Sequence, residues 1–459
     1  MNAIKTYQDL VALGEDEKRR IDFVLAVMRE HQGSALYHTA AVAQEYYRGV
    51  NTTITNYNKY IRDAFGRLVP DIWSPNHKIS CHYYGYLINQ LALFLLGNGV
   101  SFTDQKTKER LGKDFDNVCV TILVNALNGG VAYGFANKDK VEAFSALEFA
   151  PLYDEETGFL RAGVRFWQLD DQKPLRLTLY EEDGCTEYIR RSGEAMQILQ
   201  EKRPYIENVQ SSDATGEISV EGQNYPTFPI VPLYNSGRQS ELTGNREAHD
   251  ALDLMLSGLV NNVDAGEFIY WILKNSNGFD QADANKFLQM LKTTHVVPVD
   301  QDDDVTAHSP QVNFAASQAA IEELRRQIFD NHMGLDVRNI ASGAATATQI
   351  RAAYEPLNSK ADLLEFHLTE FINGILAVFG IDDAPTYTRS YVVNQNEAIQ
   401  TIVSAGTDLP QKYKVQKILE ILGDADKVDE VVDMLAAEDM DRYGGSGEPT
   451  IPEAAPETE

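Results

Sequence analysis

His77, Cys81 and His82 are residue types that bind transition metals, and on a helix positions 77 and 81 would share one face, the spacing a ligand pair needs. No second pair follows at suitable spacing, so the sequence favours a helix start carrying polar residues and a buried thiol. Asp300, Asp302, Asp303 and Asp304 offer oxygens of the kind that suit calcium or magnesium. That run lacks the glycine and terminal glutamate of a calcium loop and reads as a solvated acidic turn. The chain contains no G-x-x-x-x-G-K-[ST], H-E-x-x-H or G-x-S-x-G pattern. Gly97-Asn98-Gly99 precedes a strand instead of opening a helix, so it makes no dinucleotide site. Glu322 and Arg326 stand at the spacing of an i,i+4 ion pair. Neither a cofactor nor a catalytic constellation is expected.

Chemistry of a different kind attaches to the segment between two long helices. A charged helix ends near His332, and a second begins at Thr346-Ala347-Thr348-Gln349-Ile350. The residues between them, Leu335 to Ala345, are rich in Ser, Gly and Ala, which gives backbone freedom with little side-chain bulk. Such a loop reads as a mechanical element, with Gly334 and Gly343 as hinges and Arg338 as its cation. Pro356 should kink the helix that follows.

Length and composition set the frame for these elements. The 459 residues allow two or three domains, and an apolar fraction of 43% with 22 tyrosines fits a folded chain. Lys and Arg number 40 against 68 Asp and Glu, a net charge of −28. Acidity on that scale argues against a protein that grips nucleic acid broadly, because phosphate neutralisation needs clustered cations. Cys81, Cys119 and Cys185 are widely spaced and odd in number, as expected of reduced thiols. Met1 to Lys18 is polar, and the apolar run Leu87 to Leu96 is too short to span a bilayer. The reading is a soluble protein, intracellular when made.

The pattern predicts helices over 15–31, 76–96 and 113–128, then short strands at 144–152, 160–169, 175–181 and 186–190. Residues 208–224 read as a polar loop. A helix over 246–263 carries Leu252, Met255, Leu256, Leu259 and Val263 as its apolar stripe, with Asp250, Asp253 and Asn261 off it. A strand at 267–274, a helix at 281–291 and a strand at 294–299 should follow. The long helix keeps apolar residues at 350, 354, 357, 361, 364, 368, 371, 375 and 379. Shorter helices are expected near 395–405, 410–422 and 425–437, and a disordered tail after them. The fold class is α+β, mainly α.

The order of several motifs resembles the portal proteins of tailed bacteriophages, in the siphophage type, over roughly Tyr46 to Gly380. These are Tyr46-Tyr47-Arg48-Gly49-Val50-Asn51, Leu96-Gly97-Asn98-Gly99-Val100-Ser101-Phe102, Gly130-Val131-Ala132-Tyr133-Gly134, Tyr153-Asp154-Glu155-Glu156-Thr157-Gly158, Arg165-Phe166-Trp167 and Phe228-Pro229-Ile230-Val231-Pro232-Leu233-Tyr234-Asn235. The long helix has Gln349 where family members often have Glu.

The resemblance implies a ring of about twelve subunits around a channel through which double-stranded DNA enters and leaves the capsid. It implies a wing over 1–245, stem helices at 246–266 and 313–333, and a β-α-β clip over 267–312. It also implies a tunnel loop at 334–345, a kinked helix returning to the wing over 346–393, a helical crown at 394–438 and an acidic tail at 439–459. Asp336, Arg338, Asn339, Ser342 and Gly343 would then be the DNA-contacting residues of the tunnel loop. The implied partners are the large terminase subunit, a head-completion or adaptor protein, and the major capsid and scaffold proteins, with no membrane. The implied place is the virion, after assembly in the bacterial cytoplasm. Residues 246–333 carry 6 Lys and Arg against 14 Asp and Glu, and 394–459 carry 5 against 15. Repeated around a ring, that balance would repel phosphate and keep DNA from sticking. A different head-tail connector ring, or a metal-dependent enzyme built on His77, Cys81 and His82, are the alternatives.

Overall fold

The computed structural model describes residues 5–62, 66–72, 74–211, 218–266, 270–274, 304–308, 314–338, 347–390, 399, 402–404, 410–422, 428 and 431–435. The chain is mixed α+β and divides into two compact units, Met1–Ser390 and Tyr391–Glu459.

The first unit opens with α1 (Tyr7–Val11), α2 (Glu17–Gln32), α3 (Ala35–Tyr47) and α4 (Thr52–Thr55), each started by a side-chain cap: Thr6, Asp16, Ser34 and Asn51. A hairpin of β1 (Tyr60–Arg62) and β2 (Leu68–Pro70) precedes α5 (Tyr83–Leu96), β3 (Val100–Ser101), α6 (Gln105–Leu111) and α7 (Phe115–Gly129). Gly130 closes α7 in the left-handed conformation at φ 81°, and a Cβ there would lie 2.9 Å from the Arg238 carbonyl oxygen.

Then come β4 (Val131–Asn137), β5 (Lys140–Ser145), β6 (Phe149–Tyr153), β7 (Leu160–Trp167), β8 (Leu175–Glu181), β9 (Gly184–Arg190), β10 (Gln197–Arg203), β11 (Ile206–Ser211), β12 (Ile218–Gln223) and β13 (Ile230–Tyr234). Strands β6 to β10 form one antiparallel meander, and β13, β4 and β5 form a separate three-stranded sheet. The meander buries Val164, Phe166, Leu177 and Leu179 against Phe23, Val24, Val27 and Met28 of α2. Alternation in the strands meets helical spacing in α2, which is why both patterns are readable.

The remaining elements are α8 (Arg246–Gly266), β14 (Tyr270–Lys274), β15 (Asp304–His308), α9 (Phe314–Asn331), α10 (Ala347–Phe379) and β16 (Thr386–Tyr387). The main core lies among α5, α7 and α10, where Tyr354, Leu357, Ala361, Leu364, Leu368, Phe371 and Ile375 are buried. These are the expected stripe of the long helix. Phe371 sits so close to β4 that a Cβ on Gly134 would lie 2.6 Å from its ring. In the second unit, α11 (Gln411–Leu422) occupies the span expected at 410–422.

Several expectations need correction. Residues 76–82 are not helical, and α5 begins at Tyr83, because the preceding segment is extended along α8. The stretch 144–152 is two strands, split where the Glu148 side chain accepts the Ser145 N–H at 2.8 Å. Residues 206–211 and 218–223 are paired strands, not a loop: the backbone ladder of β11 and β12 supplies the order that an apolar pattern would otherwise have signalled. The long helix runs on through Pro356 and stops at Phe379, where Gly380 turns the chain at φ 61°, short of the 393 expected. The β-α-β module is described only as the antiparallel pair β14 and β15, with Lys274 opposite Asp304. Its helix at 281–291 and strand at 294–299, the remaining acidic positions 300–303, most of the crown and the tail at 439–459 lie outside the described residues.

Candidate functional site

Helices α8 and α9 pack antiparallel, with Leu252, Ile328, Phe329 and Leu87 of α5 closing a small core where they meet. At that end the first turn of α8 and the residue after α9 bring two imidazoles together. His249 and His332 are buried, with Nε2 atoms 3.2 Å apart, and Tyr84 stands edge-on to both rings. One ring donates and the other accepts, which requires the accepting ring to be neutral. Burial, then the second ring, pushes His249 down to about 3. His332 is also lowered by burial, while Glu241 pulls it the other way.

Beneath the rings, Glu241 is ion-paired to Lys360, accepts from Asn235 Nδ2 at 3.0 Å and lies 3.7 Å from His332 Nδ1. Burial alone would raise its carboxyl. The His332, Lys360 and Asn235 partners outweigh that and hold it at about 2. Lys360 Nζ also donates to the His332 carbonyl at 2.9 Å. The long helix α10 is therefore bolted to the end of α9 through buried charge.

The chain leaving α9 is pinned for five residues. Met333 takes a left-handed turn at φ 53°. Gly334 is forced, because a Cβ would lie 2.3 Å from Leu87 Cδ2. The Gln90 amide brackets Leu335, accepting its N–H at 2.8 Å and donating to its carbonyl at 2.9 Å. Asp336, 11% exposed, pairs with Arg325 at 2.8 Å, and Arg325 also holds Glu322 at 3.0 Å. At Val337 and Arg338 the chain reaches solvent, and the Arg338 N–H is held by Asp336 Oδ1 at 3.2 Å.

Of the residues singled out in the sequence, Asp336 is thus a structural anchor whose carboxylate is already engaged. Arg338 is exposed. Asn339, Ser342 and Gly343 lie outside the described residues. Gly334 is packed, and the pairing on α9 is Arg326 with Glu323 and Asp330, not Glu322 with Arg326.

A second feature was not read from the sequence. Residues 77–81 run antiparallel along α8 as a strap. The backbone N–H groups of His77, Ile79 and Cys81 donate to Asn261 Oδ1, Ser257 Oγ and Asp253 Oδ1 at 2.7, 2.9 and 2.9 Å. Four helical residues rise about 6.0 Å and two strand residues about 6.6 Å, so every second strap residue meets every fourth helix residue. The expected stripe on α8 is accordingly reversed in part. Asp253, Ser257 and Asn261 are buried, whereas Val263 is 51% exposed. The signal was present as polar residues at 249, 253, 257 and 261, one face of a helix.

The strap also removes the metal reading. His77 pairs with Asp264 at 2.9 Å, and His82 Nε2 faces the Tyr47 carbonyl at 2.6 Å. Burial and then Asp253 push the Cys81 thiol up to about 11, the form that binds metal poorly. Among the described residues no group of three or more His, Cys, Asp or Glu could hold a metal ion, and no helix is long and apolar enough to cross a membrane.

Comparison with known proteins follows the same lines. A family model described as phage portal protein, SPP1 Gp6-like, matches residues 30–442. The portal protein of Clostridium phage phiCD119 is 27% identical over 202 residues, 41% of this chain and 44% of that protein, so the match spans less than half of the relative's length. Among solved structures, the neck of an empty GTA particle computed with C6 symmetry matches at TM-score 0.45 and 11% identity, covering 72% of this chain and 89% of the other. The neck of a native GTA particle computed with C12 symmetry matches at TM-score 0.42 and 12% identity, covering 72% and 88%.

Proposed function

The chain belongs to the SPP1 Gp6-like family of phage portal proteins, non-enzymatic components of the virion at its portal vertex, and from that membership we propose that about twelve copies close into a ring whose channel passes double-stranded DNA during packaging and ejection. In this reading residues 1–245 form the wing, α8 and α9 are the stem, β14 and β15 begin and end the clip, and 334–345 is the tunnel loop. Helix α10 returns the chain to the wing, and 394–438 is the crown. The large terminase subunit supplies the energy of packaging, a head-completion or adaptor protein follows it, and capsid and scaffold proteins meet the wing.

One observation carries the reading. Two long helices pack antiparallel, and the segment leaving them is pinned by Gln90 and Arg325 until it turns outward at Arg338. A channel loop needs a fixed base, because the base sets where the residues beyond it can reach. The acidic balance of 246–333 keeps contacts with phosphate brief, and Arg338 is the cation that touches it. Negative-stain microscopy of the purified protein tests the ring: closed particles with a central hole are expected, and a monomer under all conditions would overturn it.

A further inference from the structure

The hairpin of β1 and β2 is out of character with the rest of the fold. Register places Tyr60, Arg62, Leu68 and Pro70 on one face and Ile61 and Val69 on the other, and of these only Val69 is even half-buried. Tyr60 is 58% exposed, Leu68 65% and Ile72 79%. An isolated two-stranded hairpin is marginal in water, because it buries too little apolar surface to offset the ordering of its backbone.

Its charge is equally out of character. Residues 60–70 carry two Arg against one Asp, a balance of +1 in a chain of −28, and Lys59 stands at their base. Lys59 and Arg62 reach neutral backbone carbonyls, of Pro75 and Gly66. The hairpin's base is nevertheless rigid: the strap fastens it to α8 at His77, Ile79 and Cys81, while α4 leads into it from the other side.

We propose that this basic, apolar arm docks on the stem of a second copy of the chain and so locks neighbouring subunits of the ring together. The proposal rests on the ring reading above and names the contact that closes it. The stem fits as receiver on two counts. It carries three Lys and Arg against seven Asp and Glu over 246–266 and 313–333, a balance of −4, opposite in sign to the arm. It also leaves Val260 and Val263 of α8 exposed, with Glu322 and Glu323 of α9 at 55% and 64%. Arm and receiver are different patches of the same chain, so the contact is head-to-tail and propagates around a ring instead of stopping at a pair. Because the arm is strapped to its own α8, each stem is held by its own arm's base on one side and by a neighbour's arm on the other.

The test exploits the hairpin's closed base, where the Asp71 N–H donates to the Lys59 carbonyl at 2.9 Å. Residues 60–70 can therefore be replaced by two glycines without disturbing the strap. The full-length protein and this variant are compared by light scattering after gel filtration and by negative stain, with circular dichroism melting as the check on folding. The expected result is that the variant melts as the parent does but needs at least about tenfold more protein to form rings. The parent's assembly should weaken between roughly 50 and 500 mM salt, as opposite charges are screened. Variant rings at the parent's concentration would overturn the proposal while leaving the ring reading intact. Intact variant rings that have lost double-stranded DNA in a gel-shift assay would overturn it too, by assigning the arm to nucleic acid. A parent that never forms rings would overturn the ring reading and the arm's role with it. If the deletion fails to fold, the double variant Tyr60→Ser, Leu68→Ser decides by the same measurement.

Discussion

The two ends of the strap region solve opposite problems. At the junction of α8, α9 and α10, imidazoles and charged groups are buried and pair within one chain: His249 with His332, Glu241 with Lys360, Arg325 with Asp336. In the arm, Tyr60, Leu68 and Ile72 stay more than half exposed within the chain's described residues. The first arrangement is complete in a monomer and should report on folding. The second is incomplete in a monomer and should report on assembly.

The sharpest way to break that contrast is to damage the junction. Glu241→Ala removes the carboxylate from a buried ammonium and should cost on the order of 3–5 kcal/mol in urea unfolding, since an uncompensated charge is left behind. A loss below about 1 kcal/mol would mean that the site is wetter than it looks.

Acid should act in the same place. The folded chain keeps His249 neutral, with a pKa of about 3, while the unfolded chain takes up that proton near 6.5. Stability should therefore fall as pH drops from about 6.5 towards 3, by up to about 1.4 kcal/mol per pH unit for this group. Glu241, depressed from 4.5 to about 2, adds its own loss below pH 4.5. His249→Leu should flatten the upper part of that profile, and a variant with the parent's slope would discount the pair.

Gly334→Ala forces a Cβ into Leu87 and should destabilise by about 1–3 kcal/mol, with the start of the loop displaced. Ser257→Ala, which removes one rung of the strap, should cost about 1 kcal/mol and leave an amide more open to hydrogen exchange at Ile79.

Smallest in stability is Arg338→Ala, within about 0.5 kcal/mol of the parent because the side chain is exposed. Its expected effect is on DNA packaged per virion. Normal packaging would remove Arg338 from the channel reading.

The sequence revealed these regions unequally. The stripe of α10 could be read residue by residue, because Tyr354 to Ile375 face one continuous core at helical spacing. The meander was legible in outline, and α2 was legible in full. Helix α3 left only a Ser34 cap as its signal, since its Ala, His and Tyr residues lack a sharp apolar period. The pinned loop was visible as a loop, but not that Asp336 belongs to Arg325, because that contact joins residues eleven apart across the end of a helix. The strap was hidden by rule: Asp253, Ser257 and Asn261 read as a solvent face until a strand's backbone takes the place of solvent.

That strap is a vernier. Its two scales differ by about 0.6 Å per division, so coincidence is good for a few marks only. The sequence stops the scale at both ends. The next mark one way is Pro75, which has no N–H to offer, and the next the other way is Tyr83, already turning into α5 above His249. A segment with three graduations cannot creep along its helix by small amounts. It can sit at this reading or let go by a full division, which makes α8 and the arm fastened to it travel as one piece.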